Sequence, residues 1–159
     1  MVTICGGKWT TYRHMAEDCV NQAATLARLP EKLCGTDRLN IHGFHPSSEK
    51  FGALRVYGSD APAVQALMQQ NPSLAEPLHQ ALPYTGAEVV WATRHEMART
   101  VEDVLARRTR ALFLNAKAAI EMAPGAATLM AKELRQDKQW EIAQIESFAA
   151  TARNYLLTS

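Results

Sequence analysis

From Thr85 to the end of the chain, helix-breaking residues are so sparse that this part of the sequence must be largely helical. After Gly86, glycine and proline occur only in the pair Pro124-Gly125. We expect this pair to break the alanine-rich helical run 111–123. Helical segments joined by short turns bury their apolar faces against one another, so the sequence predicts a mainly α fold built around a bundle of about five helices.

Several positions carry the signals that start helices. Thr85 and Glu88 have the spacing of a capping box, in which the hydroxyl and the carboxylate each accept a hydrogen bond from a backbone amide. Thr100 and Asp103 repeat this spacing with a shorter acid, and Asp137 suits the N-cap of the last helix. Apolar residues of that helix recur at intervals of three and four, which predicts a buried stripe: Ile142, Ile145, Ala149, Ala152 and Leu156.

The N-terminal third is organised differently. Residues 2–5 are a short β-branched run that predicts a buried strand, which Gly6-Gly7 end before a helical stretch begins. A strand at the very start has nothing before it to pair with, so we expect the natural chain to extend upstream. Residues 31–52 are rich in proline, glycine and serine, which predicts a linker. The predicted organisation is therefore a strand–turn–helix segment (1–30), this linker and a helical domain (53–159).

Composition excludes several classes of protein. Of the 159 residues, 47% are hydrophobic and 21% charged, and the formal net charge is +1. These proportions exclude bulk disorder, and the balanced charge predicts no nucleic-acid partner. We expect neither a transmembrane helix nor a signal peptide, because no apolar run approaches ~18 residues. Three cysteines without a CxxC pair predict reduced thiols in a cytoplasmic protein.

The double glycine near the start is the segment with the clearest chemical interest. Gly6-Gly7 precedes Lys8 and a helix start at which Thr10 or Thr11 suits the N-cap. The free amides and the dipole of such a terminus favour an anion or a polarised carbonyl, and glycine lets a ligand approach the backbone. The spacing is that of neither a P-loop nor a GxGxxG fingerprint. On these local features, a plain strand–helix turn with a surface lysine and a buried, inert Cys5 is the simpler interpretation.

Two longer blocks narrow the choice. Residues 4–18, reading ICGGKWTTYRHMAED, resemble the segment that closes the flavin domain of FAD-dependent glycerol-3-phosphate dehydrogenases of the aerobic type. Residues 88–98 and 100–110, reading EVVWATRHEMA and TVEDVLARRTR, resemble the helical C-terminal cap domain of the same family. The blocks occur in the family's order, and the resemblance covers essentially the whole chain. It implies that residues 1–30 are the last strand and helix of the flavin domain and that 53–159 are the cap domain.

The resemblance also implies a reaction and a site. Enzymes of this family oxidise sn-glycerol 3-phosphate to dihydroxyacetone phosphate by hydride transfer to the flavin of FAD, and a quinone is the electron acceptor. Gly7, Lys8, Trp9 and Thr10 would then lie against the flavin ring, and Lys8 would be the catalytic residue, near the substrate. Thr11 is a weaker candidate. The N-terminal flavin domain of the parent enzyme would be the partner of this chain, which alone would be inactive and would not retain FAD.

Metal binding is not expected. His95-Glu96 fails the HExxH pattern because Arg99 stands where the second histidine should be, and Glu96 is expected to pair with Arg94 or Arg99. His42 and His45 have HxxH spacing in a loop, without a third ligand.

The basic cluster of Arg107, Arg108 and Arg110 has two interpretations. It can bind a phosphate or lipid headgroup, or it can pair with neighbouring acids, namely Glu96, Glu102 and Asp103. The balanced charge favours ion pairing. A peripheral contact at the inner face of a membrane and a homodimer are both left open.

A stand-alone helical interaction module without catalytic activity is the alternative function. It predicts a native start at Met1 and a covered N-terminal segment. A fragment of a flavoenzyme predicts instead an exposed apolar edge at residues 2–4.

Overall fold

The computed structural model describes residues 1–157 and divides the chain into two compact units, Met1–Phe44 and His45–Ser159. The first unit contains a 3₁₀ turn, Trp9–Thr11, and helix α1, Tyr12–Leu26. Residues 2–5 are irregular and exposed, so the predicted buried strand is wrong for this structure. The physical reason is that a strand is stable only when its backbone groups pair with a neighbour.

The first unit has no core of its own. None of residues 1–44, all of which the structure describes, is buried. Cys5 is exposed, so the expectation of a buried thiol is also wrong. Large apolar side chains that face solvent in this unit include Val2, Ile4, Trp9, Tyr12, Val20, Leu26, Leu29, Leu33, Leu39, Ile41 and Phe44.

The second unit is mainly helical, as predicted. It begins with a 3₁₀ segment, Ser48–Asp60, that is interrupted at Gly52 and Gly58. It contains the α-helices α2 (Ala61–Gln70), α3 (Gly86–His95), α4 (Ala111–Leu114), α5 (Ala116–Leu134) and α6 (Lys138–Arg153). A short 3₁₀ turn, Pro72–Leu74, follows α2, and a π-helical turn, Asp103–Arg108, lies between α3 and α4. The division at residues 30 and 52 stays a prediction.

A β-hairpin that the sequence pattern did not indicate joins α2 to α3. Strands β1 (Pro77–His79) and β2 (Leu82–Thr85) are antiparallel, with Pro77 opposite Thr85 and His79 opposite Leu82. The prolines of this region suggested irregular structure. A two-stranded sheet consists only of edges, however, and there a proline costs no ladder hydrogen bond if its nitrogen faces outward.

Helix α5 is the centre of the second unit and packs against α3, α4, α6 and β1. Its buried face consists almost entirely of alanine and methionine, which let neighbouring helices approach closely. One apolar cluster joins this face to α6, where Phe148 is 1% exposed. A second cluster joins α2 and α3 through Val64, Val90 and Trp91. Packing within these two clusters fixes the positions of the capping residues in the block of residues 88–110.

Helix α5 does not break at Pro124, in contrast to the prediction. The helix runs from Ala116 to Leu134 with Pro124 inside it, on the exposed side. Buried Ala123 and Ala126 flank the proline and hold both halves of the helix against the core. Their packing outweighs the cost of about 3 kcal/mol that an interior proline imposes through its missing N–H group.

Helix α6 begins as predicted but is rotated relative to the predicted stripe. Asp137 caps it, because its carboxylate accepts a hydrogen bond from the amide of Trp140 at 2.9 Å. Ala152 is buried, but Ile142 is 45% and Leu156 41% exposed, so these two predictions are wrong. Phe148 enters the core instead, which turns Ile142 to the rim, and Leu156 lies beyond the end of the helix.

Candidate functional site

The glycine pair adopts a backbone conformation that other residues avoid. Gly6 has φ +79° and Gly7 has φ +97°. A Cβ atom at Gly7 would overlap the sulfur of Met15, whereas one at Gly6 would meet no atom within 4 Å. Glycine is therefore required at both positions by the backbone, and at Gly6 the chain is open to a ligand.

The backbone of Lys8 is held by Thr11. The Lys8 amide donates to Oγ1 of Thr11 at 3.0 Å, and the same hydroxyl donates to the Lys8 carbonyl at 3.1 Å. The Thr11 amide also donates to the Lys8 carbonyl, at 2.9 Å. Thr11 is the N-cap of α1 without a side-chain bond to a helical amide, so the expected capping role of its hydroxyl is replaced by a bond backwards to Lys8.

These residues border an open groove of about 630 Å³ on the N-terminal end of α1. The groove is mainly apolar, and the indole of Trp9 lies 5.3 Å from the ring of Tyr12, centroid to centroid. Its lining includes Gly6, Gly7, Lys8, Trp9, Met15 and Cys19. Three of the four predicted cofactor-binding residues thus lie along one groove, and Thr10, the fourth, belongs to the same 3₁₀ turn. Their roles stay predictions.

Such a groove combines an accessible cation, an open stretch of backbone and an aromatic surface. This combination suits a planar, electron-accepting group that gains negative charge. Sequence reasoning missed the support that Met15 gives to Gly7, because the sequence pattern alone does not show which side chain covers a glycine.

The second sequence block, residues 88–110, is a scaffold of caps and ion pairs. Glu88 is 5% exposed, and its carboxylate accepts hydrogen bonds from the amide and hydroxyl of Thr85 at 2.8 and 3.1 Å. The predicted capping box is therefore confirmed. The hydroxyl of Tyr57 donates a third bond at 3.2 Å. Burial raises the pKa of Glu88 above its usual value, although all three hydrogen bonds oppose this rise.

The Thr100 cap is also confirmed. Asp103 accepts hydrogen bonds from the amides of Arg99 and Thr100, both at 3.0 Å, and its own amide donates to the Thr100 hydroxyl at 3.1 Å. Burial opposes ionisation of Asp103, but these bonds and the Arg107 charge outweigh it and lower the pKa of the carboxyl group.

The arginines of this block bind protein groups. Arg94 pairs through two hydrogen bonds, of 2.6 and 2.8 Å, with Glu133 of α5. Arg99 donates to the carbonyls of Thr93 and Ala98 at 3.0 and 2.8 Å. The predicted pairing of Glu96 with Arg94 or Arg99 is therefore wrong. Both guanidinium groups bind other partners, and the partner of Arg94 lies 39 residues away in the sequence.

The arginines of the basic cluster pair mainly with acidic side chains, as the ion-pair interpretation expects. Arg107 contacts Glu102 at 2.5 Å and Asp103 at 3.1 Å. Arg108 lies 3.9 Å from the Asp103 carboxylate and donates to the Glu96 carbonyl at 2.5 Å. The Arg110 guanidinium lies 5.7 Å from the centroid of the exposed Phe113 ring.

The histidines considered as metal ligands have other contacts. Nδ1 of His45 accepts from the Ser47 amide at 2.9 Å, and the His95 ring lies 4.1 Å from that of Trp91. Among residues 1–157, no three or more His, Cys, Asp or Glu side chains are grouped as they would be around a metal ion. Within the same residues, no helix has the length and apolar character needed to cross a bilayer.

Comparison with known proteins gives a consistent result. Residues 2–141 match the family described as the C-terminal domain of alpha-glycerophosphate oxidase. A Caenorhabditis elegans protein named probable glycerol-3-phosphate dehydrogenase, mitochondrial, is 35% identical over 92% of this chain and 23% of its own length. Human mitochondrial glycerol-3-phosphate dehydrogenase is 34% identical over 98% of this chain and 24% of its own length. No solved structure matches the chain.

These comparisons correct one expectation. The relatives are named as mitochondrial proteins, so the predicted cytoplasmic location, with or without contact at the inner face of a membrane, is wrong. Reduced cysteines indicate only a reducing environment, which more than one compartment provides, and the cysteine count therefore could not settle the location. The chain spans 23% and 24% of the length of the two relatives described.

Proposed function

This chain belongs to the family of the C-terminal domain of alpha-glycerophosphate oxidase and glycerol-3-phosphate dehydrogenase, and on that premise we propose that it completes an FAD-dependent enzyme. The enzyme oxidises sn-glycerol 3-phosphate to dihydroxyacetone phosphate and passes the electrons to a quinone. The partner of this chain is the N-terminal flavin domain of the same enzyme. The second unit supplies the helical cap.

The coreless first unit is the observation that carries this proposal. Residues 1–44 bury no side chain, yet they expose twelve large apolar residues, and Val2 and Ile4 are among them. Contiguous exposed apolar surface marks an interaction site. A segment of this kind is stable only when it is covered, and the flavin domain is the partner that the family supplies.

The groove of the first unit fits a flavin. The backbone at Gly6 is open, and the Trp9 side chain is 85% exposed and so available for stacking. When bound, FAD supplies the hydride acceptor. Lys8 would place a positive charge where negative charge develops in the flavin ring and beside the anionic substrate. Gly7 and Thr10 would border the same ring.

A single substitution tests the role of Lys8. The enzyme is reconstituted from this chain and its N-terminal flavin domain, and the rate of flavin reduction by glycerol 3-phosphate is measured by stopped-flow absorbance. We expect Lys8→Met to lower this rate ~10²-fold or more with little change in stability. Lys32→Met, an exposed lysine of the same unit, is the matched control.

The outcomes separate the two functions. An unchanged rate for Lys8→Met would remove Lys8 from the mechanism. A wild-type assembly that binds no FAD and is not reduced by glycerol 3-phosphate would exclude the dehydrogenase and favour a helical interaction module.

A further inference from the structure

We propose that Thr11 is a positioning residue that fixes the backbone from which the Lys8 side chain extends. This inference rests on the proposed function of Lys8. Both polar backbone groups of Lys8 are hydrogen-bonded to Thr11. The Lys8 amide donates to the Thr11 hydroxyl at 3.0 Å, and the Lys8 carbonyl accepts from the Thr11 hydroxyl and amide at 3.1 and 2.9 Å. One residue thus determines the orientation of the Lys8 peptide groups.

Met15 extends the same arrangement by one helical turn. Its Sδ atom lies 3.6 Å from the Thr11 hydroxyl and covers the face of Gly7 that a Cβ would occupy. The Thr11 hydroxyl has a single hydrogen, which it donates to the Lys8 carbonyl, and the thioether packs beside it. Gly7, Lys8, Thr11 and Met15 therefore form one connected unit anchored on α1.

Positioning matters because of the length of the lysine side chain. Four carbons separate the Lys8 backbone from its charge, and each flexible bond widens the range of positions that Nζ samples. Electrostatic stabilisation depends on a charge that is in place before the reaction, and a displacement of about 1 Å can cost ~10²-fold in rate. Fixing the backbone of Lys8 narrows the range of positions that its Nζ atom samples.

A simple capping role makes a different prediction. Thr11 occupies the N-cap position of α1, but its hydroxyl bonds to Lys8 and not to an amide of the helix. If it served the helix alone, its loss would lower stability and leave the environment of the flavin unchanged.

The test uses the reconstituted enzyme and two substitutions. Thr11→Val keeps the shape and removes the hydroxyl, whereas Thr11→Ser keeps the hydroxyl. We expect Thr11→Val to slow flavin reduction about tenfold or more and to shift the flavin reduction potential in the same direction as Lys8→Met. Thr11→Ser should restore both values to near wild type. Thr25→Val, which removes a hydroxyl bonded to Asn21 within α1, is the matched control and should change neither.

A double substitution completes the test. In the Lys8→Met background, Thr11→Val should have no further effect on rate or potential, because the residue acts through Lys8. Additive effects, or a Thr11→Val enzyme indistinguishable from Thr25→Val, would overturn the proposal. If Thr11→Val fails to assemble, Thr11→Ala, which also lacks the hydroxyl, takes its place: a slowed reduction and a shifted potential support the proposal, and wild-type values contradict it. A wild-type enzyme that is not reduced by substrate refutes the proposed function itself, which is a separate result.

Discussion

The hydroxyl of Tyr57 donates a hydrogen bond to the buried carboxylate of Glu88 across 3.2 Å. This bond joins the 3₁₀ segment before α2 to the N-terminus of α3. Burial raises the pKa of Tyr57 well above its ordinary range, and the negative charge of Glu88 adds to this effect. Tyr57 therefore stays protonated and remains a hydrogen-bond donor at neutral pH.

Glu88 makes the stability of the second unit depend on pH. Its pKa in the folded chain lies above the unfolded value of about 4.3, so between these two values the folded state binds more protons. The contribution of Glu88 to the free energy of unfolding is thus greatest below about pH 4.3 and falls as the pH rises through the folded pKa. We expect Glu88→Gln to give a shallower decline than wild type in urea unfolding measured between pH 4 and pH 7.

Glu96 serves as an internal reference for that experiment. Burial raises its pKa as well, against the opposing charge of Arg108, so part of the decline should persist in Glu88→Gln. An identical pH profile for wild type and Glu88→Gln would contradict the assignment.

The contribution of Asp103 to the free energy of unfolding depends on pH in the opposite direction. Because its folded pKa lies below the unfolded value of about 3.9, its contribution is present above that value and is lost as the pH falls through the folded pKa. Asp103→Asn keeps the capping oxygen and removes the charge. We therefore expect this variant to be less stable than wild type at neutral pH and to lose less unfolding free energy on acidification below about pH 4. Asp37→Asn, on an exposed aspartate, should follow wild type. Equal acid sensitivity of Asp103→Asn and wild type would rule this out.

Phe148 is the principal anchor of α6. Its side chain is 1% exposed within the larger apolar cluster, so Phe148→Ala should cost about 3–5 kcal/mol of unfolding free energy through lost burial and the cavity left behind. Ile142→Ala, on the exposed rim of the same helix, should change stability by less than about 0.5 kcal/mol. Chemical denaturation of both variants checks the orientation of α6. Comparable losses would mean that the helix buries a different face.

Pro124 is a defect that the packing of α5 tolerates. Pro124→Ala supplies the missing N–H group on an exposed side of the helix, with no buried contact removed. We expect it to raise stability by about 1–2 kcal/mol, since the gain of a helical hydrogen bond exceeds the added entropy of the unfolded chain. Thermal unfolding followed by circular dichroism measures the change. A lower melting temperature would show that the proline ring makes a contact on which the helix depends.

The helix starts were predictable because a cap is a local interaction. Thr85 with Glu88, Thr100 with Asp103 and Asp137 with Trp140 each bridge three residues, a separation that the helix geometry itself brings into hydrogen-bond range. The sequence alone could also indicate the candidate groove residues Gly7, Lys8 and Trp9, through their resemblance to a family.

Interactions between distant residues were not predictable in this way. Arg94 pairs with Glu133 of α5, and nothing near Arg94 in the sequence indicates this partner. Glu96 lies closer in the sequence and was predicted instead, which is wrong. The hairpin at Pro77 and Pro83 and the face of α6 that carries Phe148 also depend on what packs against them.

The sequence by itself thus determined the helical character of the chain and the positions of its caps, since each follows from forces acting over three or four residues. Only the tertiary structure decided that α5 continues through Pro124, that Phe148 and not Ile142 enters the core, and that residues 2–5 are not a strand. These outcomes depend on burial against distant segments. Packing energies summed over a helix face exceed the local cost of a proline, and a strand without a neighbour gains no such energy.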